Sequence, residues 1–368
     1  MKRIVFAHRK LSFGGGERVL LEQVAALADL PVRISVIYRK EGAKRDIEPE
    51  LRARNPHVDE VLHLPGAWAA GRYLVKARPD LVVLCNHKGV QRALPWMARF
   101  GHRFPLAVTL HEHYGRHLGK YRGIRNLVNL WLITWAFEAE VRAQLGPQPC
   151  ALIHPIYPRP SALPPDTAER EAARRALGLP ESGPVVGYVG QIDGRKDPLS
   201  VLRLAEATEA ALGTPLHLVF AGHEEAATAQ ALDRALAASP LKARTLRLGR
   251  VPATGPVLDA LDAYLMTSRN EGFFPIALIE ALERGVPVVA PTVGGIGTVL
   301  EDGHGGLLMR KPDDRKPIPP ALLAETGRRL AALLADASQR EQAVALAHRL
   351  TDGYDAAAKF REALAPWL

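Results

Sequence analysis

The chain has 368 residues, with 48 Lys and Arg against 39 Asp and Glu, which gives a formal net charge of +9. Its 47% hydrophobic and 24% charged residues are typical of a globular protein and exclude a disordered chain. Two cysteines exclude a disulfide framework, and the best apolar run, residues 127–137, is too short to span a membrane, so we expect a cytoplasmic protein of two domains.

The first half of the sequence alternates strand and helix patterns, as in a parallel sheet covered by helices. The predicted strands are residues 4–7, 32–38, 81–84 and 106–110. The predicted helices are residues 17–27 and about 123–145. Prolines crowd residues 155–183, which predicts a linker there.

The same alternation begins again after this linker. The predicted strands are residues 185–189, 216–221, 264–267 and 286–290, and the predicted helices are 167–177, 199–212, 226–238, 275–284, 320–335, 339–350 and 356–364. We therefore predict an α/β protein with two Rossmann-like, doubly wound domains facing a central cleft. The predicted domains are residues 1–160 and 161–353, with a final helix at about 354–368 packing back on the first domain.

The most informative motif is the segment 268–290, a strand, a glycine-containing loop, a helix and another strand. Pro275 stands near the start of the helix and Gly285 just after its end, as helix boundaries favour. A helix amino terminus attracts phosphate, and Glu271 and Glu280 could accept hydrogen bonds from sugar hydroxyls beside it. A capped amphipathic helix with a solvent-facing glutamate is the alternative interpretation.

A second motif, Gly187-Tyr-Val-Gly-Gln-Ile-Asp-Gly-Arg-Lys-Asp-Pro198, is a buried strand that ends in a glycine turn. Ligands of open α/β sheets bind at such strand ends. Lys196 could stabilise a departing diphosphate there as a point charge, although a solvated turn lysine has the same local pattern.

Two weaker motifs lie in the first half. Gly14, Gly15 and Gly16 precede a predicted helix and would let the backbone approach a phosphate closely, but flexible turns have the same composition. His111 follows a predicted strand, and the neighbouring Glu112 and His113 lack a third ligand for a metal site.

Together these motifs resemble those of the retaining family-4 glycosyltransferases, which have the GT-B fold. The resemblance implies catalytic roles for His111, Lys196 and Glu271. It also implies donor binding by Gly14, Gly15, Gly16, Gln191, Arg195, Gly272, Phe273, Phe274 and Glu280. Two departures stand out: Glu271 and Glu280 enclose eight residues, one more than in the family motif, and Gln191 replaces the usual arginine.

The resemblance further implies transfer of a sugar from a nucleotide diphosphate sugar to a glycan or lipid-linked acceptor with retention, in polysaccharide or glycolipid biosynthesis. A UDP-sugar is favoured over a GDP-sugar as the donor. No other cofactor and no metal are expected, because the sequence contains no Asp-x-Asp motif. A nucleotide-sugar epimerase of the same fold is the alternative enzyme.

The charge is unequally distributed along the chain. Residues 1–150 hold 24 Lys and Arg against 13 Asp and Glu, a net charge of +11. Residues 151–368 hold 24 Lys and Arg against 26 Asp and Glu, a net charge of −2. We therefore expect an acidic or membrane-borne acceptor on the first domain and peripheral association with the anionic inner face of a membrane. The predicted interfacial surface is a helix carrying Trp131 and Trp135 behind Lys120, Arg122 and Arg125, although a core helix is the competing interpretation. Nucleic-acid binding is the other alternative, but no recognised motif supports it.

Overall fold

A computed structural model describes residues 1–11, 15–40, 47–110, 118–133, 138–146, 149–152, 164–271, 275–311, 316–351 and 355–368. The chain divides into two units. Unit 1 consists of Met1–Pro158 and Gly353–Leu368, and unit 2 consists of Arg159–Asp352.

Unit 1 contains a seven-stranded parallel sheet in the order β3-β2-β1-β4-β5-β6-β7. Its elements within Met1–Pro158 are β1 (Lys2–His8), α1 (Gly15–Ala25), β2 (Val32–Tyr38), α2 (Glu48–Arg54), β3 (Val58–His63), α3 (Ala67–Ala77), β4 (Leu81–Cys85), α4 (Lys88–Arg99), β5 (Leu106–Thr109), β6 (Leu130–Ile133), α5 (Glu138–Leu145) and β7 (Cys150–Leu152). The order reverses direction at β1, so the sheet is doubly wound.

Unit 2 contains a six-stranded parallel sheet in the order β10-β9-β8-β11-β12-β13. Its elements are α6 (Thr167–Ala176), β8 (Val185–Val189), α7 (Pro198–Leu212), β9 (His217–Ala221), α8 (Ala226–Ala237), β10 (Thr245–Arg247), α9 (Gly255–Asp259), β11 (Ala263–Leu265), α10 (Ile276–Glu283), β12 (Val288–Pro291), β13 (Gly306–Met309), α11 (Pro320–Leu334) and α12 (Ser338–Thr351). This sheet reverses direction at β8, which places the loop after β8 at the position where such sheets bind ligands.

The last helix, α13 (Ala356–Leu364), belongs to unit 1. Its Phe360 and Leu364 are fully buried in a core that also contains Leu20 and Val24 of α1. Asp355 caps the helix by accepting a hydrogen bond from the N–H of Ala358 at 2.9 Å. The apolar face of α13 is thus part of the hydrophobic core of unit 1 rather than of the unit that precedes it in sequence.

The predicted long helix at residues 123–145 is wrong. The structure has strand β6 within this segment, and only the helix α5 follows it. Trp131 lies in β6, fully buried and in edge-to-face contact with Tyr121 at 5.6 Å between ring centroids. Trp135 lies outside the described residues. Since β6 pairs with β5 on one side and β7 on the other, its apolar run is that of an interior strand, which periodicity cannot distinguish from a buried helix. The predicted interfacial helix carrying Trp131 therefore does not exist.

Candidate functional site

The carboxyl edge of the sheet in unit 2 is closely packed around two glycines. The N–H of Gly190, just after β8, donates to the carbonyl of Ala221 at 2.8 Å, and the N–H of Gly222 donates to Gly249 at 2.7 Å. A Cβ on Gly222 would lie 1.7 Å from the carbonyl oxygen of Gly190, so no side chain fits there. The loops after β8, β9 and β10 are thereby held against one another.

The loop that carries Arg195 and Lys196 is fixed by hydrogen bonds on both sides. Asp193 accepts bonds from the backbone N–H groups of Arg195 at 3.0 Å and Lys196 at 2.9 Å. From the end of β11, the buried Thr267 hydroxyl donates to the carbonyls of Lys196 at 3.2 Å and Asp197 at 2.7 Å. Asp197 has φ of +53°, and α7 begins at the next residue. The backbone of Lys196 is therefore held in one position, and its side chain extends from a fixed point.

Two basic side chains converge on the carboxylate of Glu271. The ammonium of Lys196 lies 2.5 Å from Glu271 Oε1, and Nη1 of Arg195 lies 3.3 Å from the same oxygen. Nη1 of Arg195 also donates to the carbonyl of Asn270 at 3.2 Å. The side chains of Lys196 and Glu271 are largely buried, whereas that of Arg195 is 43% exposed. Arg195 is thus the more accessible of the two cations.

The electrostatics of this pair favour two charged groups. Burial lowers the pKa of Lys196, although the negative charge of Glu271 opposes this effect. Burial alone would raise the pKa of Glu271, but the positive charges of Lys196 and Arg195 outweigh it, so the pKa lies below its ordinary value. Glu271 is therefore an ionised acceptor and a poor proton donor near neutral pH.

Two stacked tyrosines lie beneath this edge of the sheet. The rings of Tyr188 and Tyr264, on the paired strands β8 and β11, are 6.0 Å apart, and their hydroxyls donate to the carbonyls of Gln191 at 3.0 Å and Val189 at 2.9 Å. Burial raises the pKa of Tyr264, and the charges of Glu271 and Glu280 raise it further. The tyrosines therefore remain neutral and support the loop as hydrogen-bond donors.

Glu280 lies inside α10 with its side chain buried. Its Oε2 accepts a hydrogen bond from the hydroxyl of Thr254 at 3.2 Å. The helix ends at Glu283, and Gly285, which follows the C-cap residue Arg284, has a φ of +64°, a left-handed conformation that suits glycine. The interpretation of Glu280 as a solvent-facing helix residue is therefore wrong.

The remaining predicted residues are the donor-binding Gln191, the three glycines of the first motif, the loop 272–274 and the catalytic His111. Gln191 has an exposed side chain and lines a pocket of about 750 Å³ together with Arg195, His223 and Glu224. Gly15 and Gly16 are the first two residues of α1, and a Cβ on either would meet no atom within 4 Å. Gly14, His111, Gly272, Phe273 and Phe274 lie outside the described residues. The structure thus brings together Lys196, Arg195 and Glu271, all within unit 2.

Two buried histidines, which none of the sequence motifs indicates, lie at the carboxyl edge of the sheet in unit 1. His8 ends β1, and its Nδ1 lies 2.9 Å from the carbonyl of Lys10 and 3.9 Å from Glu17, a buried residue of α1. His87 caps α4 by accepting the N–H of Val90 at 3.1 Å. Burial lowers the pKa of each histidine to about 4, so both are neutral at pH 7. In the sequence, the only feature that points to His8 and His87 is that each follows an apolar run.

The described residues contain neither a membrane-spanning helix nor a cluster of metal ligands. None of their helices is both long enough and apolar enough to cross a membrane. Within the same part of the chain, no three His, Cys, Asp or Glu side chains are grouped so that they could hold a metal ion.

Two family models match the chain, one on each unit. Residues 13–142 match the model described as Glycosyltransferase Family 4, and residues 169–317 match that of Glycosyl transferases group 1. A D-inositol 3-phosphate glycosyltransferase of Salinispora tropica is 28% identical over 89% of this chain and 77% of the relative. The enzyme of the same description from Salinispora arenicola is 38% identical, but the match covers 43% of this chain and only 36% of that relative.

Solved structures share the fold at low sequence identity. The Anabaena protein HepE, in complex with UDP-glucose, superposes with a TM-score of 0.75 at 19% identity, over 100% of this chain and 99% of that one. The glycosyltransferase WaaG, described as involved in lipopolysaccharide biosynthesis, gives a TM-score of 0.68 at 16% identity, over 98% and 99% of the two chains. The chain is a glycosyltransferase of family 4, and its two parallel-sheet units have the GT-B fold.

Proposed function

We propose that the enzyme transfers a sugar from a UDP-sugar to a glycan or lipid-linked acceptor, with retention of configuration at the anomeric carbon. Structures of HepE with UDP and with UDP-glucose support the choice of donor, since that protein has the same fold.

The convergence of Lys196 and Arg195 on Glu271 is the observation that carries the proposal. It lies at the switch point of the sheet in unit 2, where open α/β sheets bind their ligands. Two positive charges there would stabilise the negative charge that develops on a leaving diphosphate. Because Glu271 is ionised, it would accept hydrogen bonds from hydroxyls of the donor sugar.

Gln191 replaces the usual arginine of the family motif and carries no charge. Arg195 supplies the second positive charge instead. Gln191 supplies a neutral donor, whereas the Arg195 guanidinium lies on the same carboxylate as Lys196 and is partly exposed. Two cations are therefore still available to the diphosphate. We assign phosphate contact to Lys196 and Arg195, ribose contact to Glu280, and contact with the donor sugar to His111.

The proposed reaction uses no protein nucleophile. The bond between the anomeric carbon and the phosphate oxygen breaks, and a bond to the acceptor oxygen forms on the same face of the sugar. The leaving phosphate oxygen takes the proton of the acceptor hydroxyl, so atoms and charges balance. This route suits Glu271, whose lowered pKa makes it a weak base. We expect no metal requirement, since Lys196 and Arg195 would supply positive charge to the diphosphate.

The acceptor that we propose is anionic or attached to an anionic membrane. The +11 balance of residues 1–150 favours a negatively charged partner for unit 1. The relatives described as D-inositol 3-phosphate glycosyltransferases fit an acceptor of this charge. We further propose that the enzyme works in the cytoplasm, peripherally at the inner face of the membrane.

A thermal-shift panel with UDP-, GDP- and ADP-glucose tests the donor assignment. A bound donor raises the apparent melting temperature once its concentration exceeds its dissociation constant, and we expect this with the UDP-sugar. Lys196→Ala should abolish the shift, whereas Lys242→Ala, an exposed lysine of the same unit, should preserve it. A shift with GDP- or ADP-glucose alone would refute the UDP assignment.

Turnover assays distinguish the enzyme from its alternative. Release of UDP that depends on an added acceptor is the result expected for a transferase. Interconversion of UDP-sugars without any acceptor would instead identify an epimerase of the same fold. Product analysis by NMR then establishes retention from the anomeric coupling.

A further inference from the structure

Helices α3 and α4 form one layer on the sheet of unit 1. The chain passes from β3 through α3 to β4 and then through α4 to β5, moving in one direction across the sheet. Crossovers between parallel strands are right-handed as a rule, so two successive crossovers in one direction place their helices on the same face. They also pack together, since a Cβ on Gly71 of α3 would lie 3.4 Å from Ala93 Cβ and 3.5 Å from Met97 Sδ of α4. Their outward sides therefore form a continuous surface.

This surface exposes three large aromatic side chains. Trp68 is 75% exposed, Trp96 68% and Phe100 67%, and the rings of Trp96 and Phe100 stack at 5.8 Å between centroids. Trp96 lies in the last turn of α4 and Phe100 directly follows the helix, so the two residues, four positions apart, are on the same side. The stacked pair on α4, with a third exposed aromatic on the helix that packs against it, is the kind of surface that binds a partner.

Basic side chains are interleaved with the aromatic ones. The Arg72 guanidinium lies 5.3 Å from the centre of the Trp68 ring, and Lys76 continues the exposed side of α3 by one more turn. On α4, Arg92 and Arg99 are exposed beside Trp96 and Phe100. We define the aromatic-basic face as Trp68, Arg72, Lys76, Arg92, Trp96, Arg99 and Phe100.

The charge of this region is strongly one-sided. Residues 61–110 contain seven Lys and Arg but a single acidic residue, Asp80. The Asp80 carboxylate is engaged with the amino-terminal strand, because it accepts the N–H of Arg3 at 2.8 Å and lies 3.5 Å from the ammonium of Lys2. The aromatic-basic face is therefore complementary to a dense negative charge.

We propose that the aromatic-basic face docks the enzyme on an anionic lipid bilayer. Trp and Phe insert at the boundary between headgroups and acyl chains, while Arg and Lys contact lipid phosphates, and this face presents both kinds of group. The proposal rests on the proposed function, since it explains how a lipid-linked acceptor is reached. It replaces the surface predicted around Trp131, which is buried.

Two other occupants fit less well. A second copy of the chain would bring two faces of the same positive charge together in a symmetric dimer, which is electrostatically unfavourable. A single-stranded nucleic acid usually runs in a positively charged groove, whereas this face is the outer side of a helical layer.

Vesicle co-sedimentation of the full-length chain tests the proposal. We compare phosphatidylcholine vesicles with vesicles that also contain phosphatidylglycerol, at low and at physiological salt. Binding should require phosphatidylglycerol and weaken as salt is added. Failure to bind anionic vesicles at low salt overturns the proposal.

Three variants separate the contributions of the face. The aromatic variant changes Trp68, Trp96 and Phe100 to Ser, and binding should fall while its salt dependence remains. The charge variant replaces three arginines of the face by glutamine: Arg72, Arg92 and Arg99. Its control makes the same replacement at three exposed basic residues of unit 2: Arg203, Arg234 and Lys242. Because each basic residue near an anionic surface is worth about five-fold in binding, the charge variant should lose roughly a hundred-fold and the control little.

Three results would contradict the assignment: equal weakening by the control, unchanged binding in the aromatic variant, or preferential binding of single-stranded RNA that the same variants abolish. A dimer of the wild-type chain that the aromatic variant dissociates would assign the face to a second copy instead. All variants should keep the thermal shift with UDP-glucose. That shift shows whether they fold, and it separates a failure of docking from a failure of the proposed donor site.

Discussion

The ammonium of Lys196 and the carboxylate of Glu271 lie 2.5 Å apart although 75 positions separate them in the chain. Removing one partner leaves a charge in a largely buried environment, so we expect Lys196→Met to lower the free energy of unfolding by roughly 3 kcal/mol. The double variant Lys196→Met/Glu271→Met should regain most of that stability but remain inactive. Urea denaturation and UDP release measure the two effects. Activity in the double variant would show that the pair has only a structural role.

Arg195 should act on the donor and contribute little to stability. Its ion pair with Glu271 is partly exposed, and such pairs are typically worth 1 kcal/mol or less, so we expect Arg195→Gln to unfold at nearly the wild-type urea concentration. Loss of a charge-assisted bond to phosphate should weaken UDP-sugar binding by about ten-fold or more, measured by calorimetry. Restoring a cation with Gln191→Arg in the Arg195→Gln background should recover part of this affinity. No recovery would mean that the two positions do not share a ligand.

Unit 1 should lose stability as the pH falls from neutral. His8 and His87 have pKa values lowered to about 4 by burial, whereas an unfolded histidine titrates near 6.5. Between these values the unfolded chain binds protons that the folded unit does not, so stability falls with decreasing pH by up to about 1.4 kcal/mol per pH unit for each histidine. The loss should begin near pH 6.5 and end near pH 4.

The variant His87→Asn tests this pH dependence without removing the helix cap. Asparagine keeps a side-chain acceptor for the N–H of Val90 but has no proton to gain in this range. Urea denaturation monitored for unit 1 between pH 7 and pH 5 should show a slope reduced by about half. The exposed His102, changed to Asn, is the matched control and should leave the slope unchanged. An undiminished slope in His87→Asn would assign the effect to other groups.

Gly222 should tolerate no side chain. The variant Gly222→Ala would place a Cβ 1.7 Å from the carbonyl oxygen of Gly190, and the φ of +148° adds backbone strain. We expect a melting temperature several degrees lower and weaker donor binding, because the loop after β8 must move. Gly194→Ala, in that same loop and with no atom within 4 Å of its Cβ, should behave like the wild type. Equal melting temperatures for the two variants would contradict the close approach.

The sequence predicted most of the elements and only part of the site. Strands 32–38 and 185–189 and the helix 356–364 are confirmed at their predicted limits, because Gly, Pro and Asp mark their ends. The apolar run around Trp131 predicts a helix and forms a strand, because burial on both sides removes the alternation that identifies a strand. The exposed Trp68 and Trp96 were not singled out, because exposure follows from helix packing and not from residue type.

The candidate site follows the same division. The glycine turn and Lys196 could be found from local spacing. The convergence of Arg195 on Glu271 could not, because it depends on β8 and β11 being neighbours in the sheet. The supporting Thr267 was missed for the same reason, since a hydroxyl that bonds two carbonyls of a distant loop leaves no pattern in its own segment.

The return of α13 to unit 1 has a consequence for synthesis on the ribosome. Unit 2 is made as one uninterrupted segment, whereas unit 1 waits for Phe360 and Leu364 until all of unit 2 has emerged. At the usual rates of translation, the apolar surface that receives α13 stays uncovered for about 10 to 40 s. During that interval unit 1 is unfinished while unit 2 is still being made, and it is then that a chaperone would protect the exposed apolar surface of unit 1.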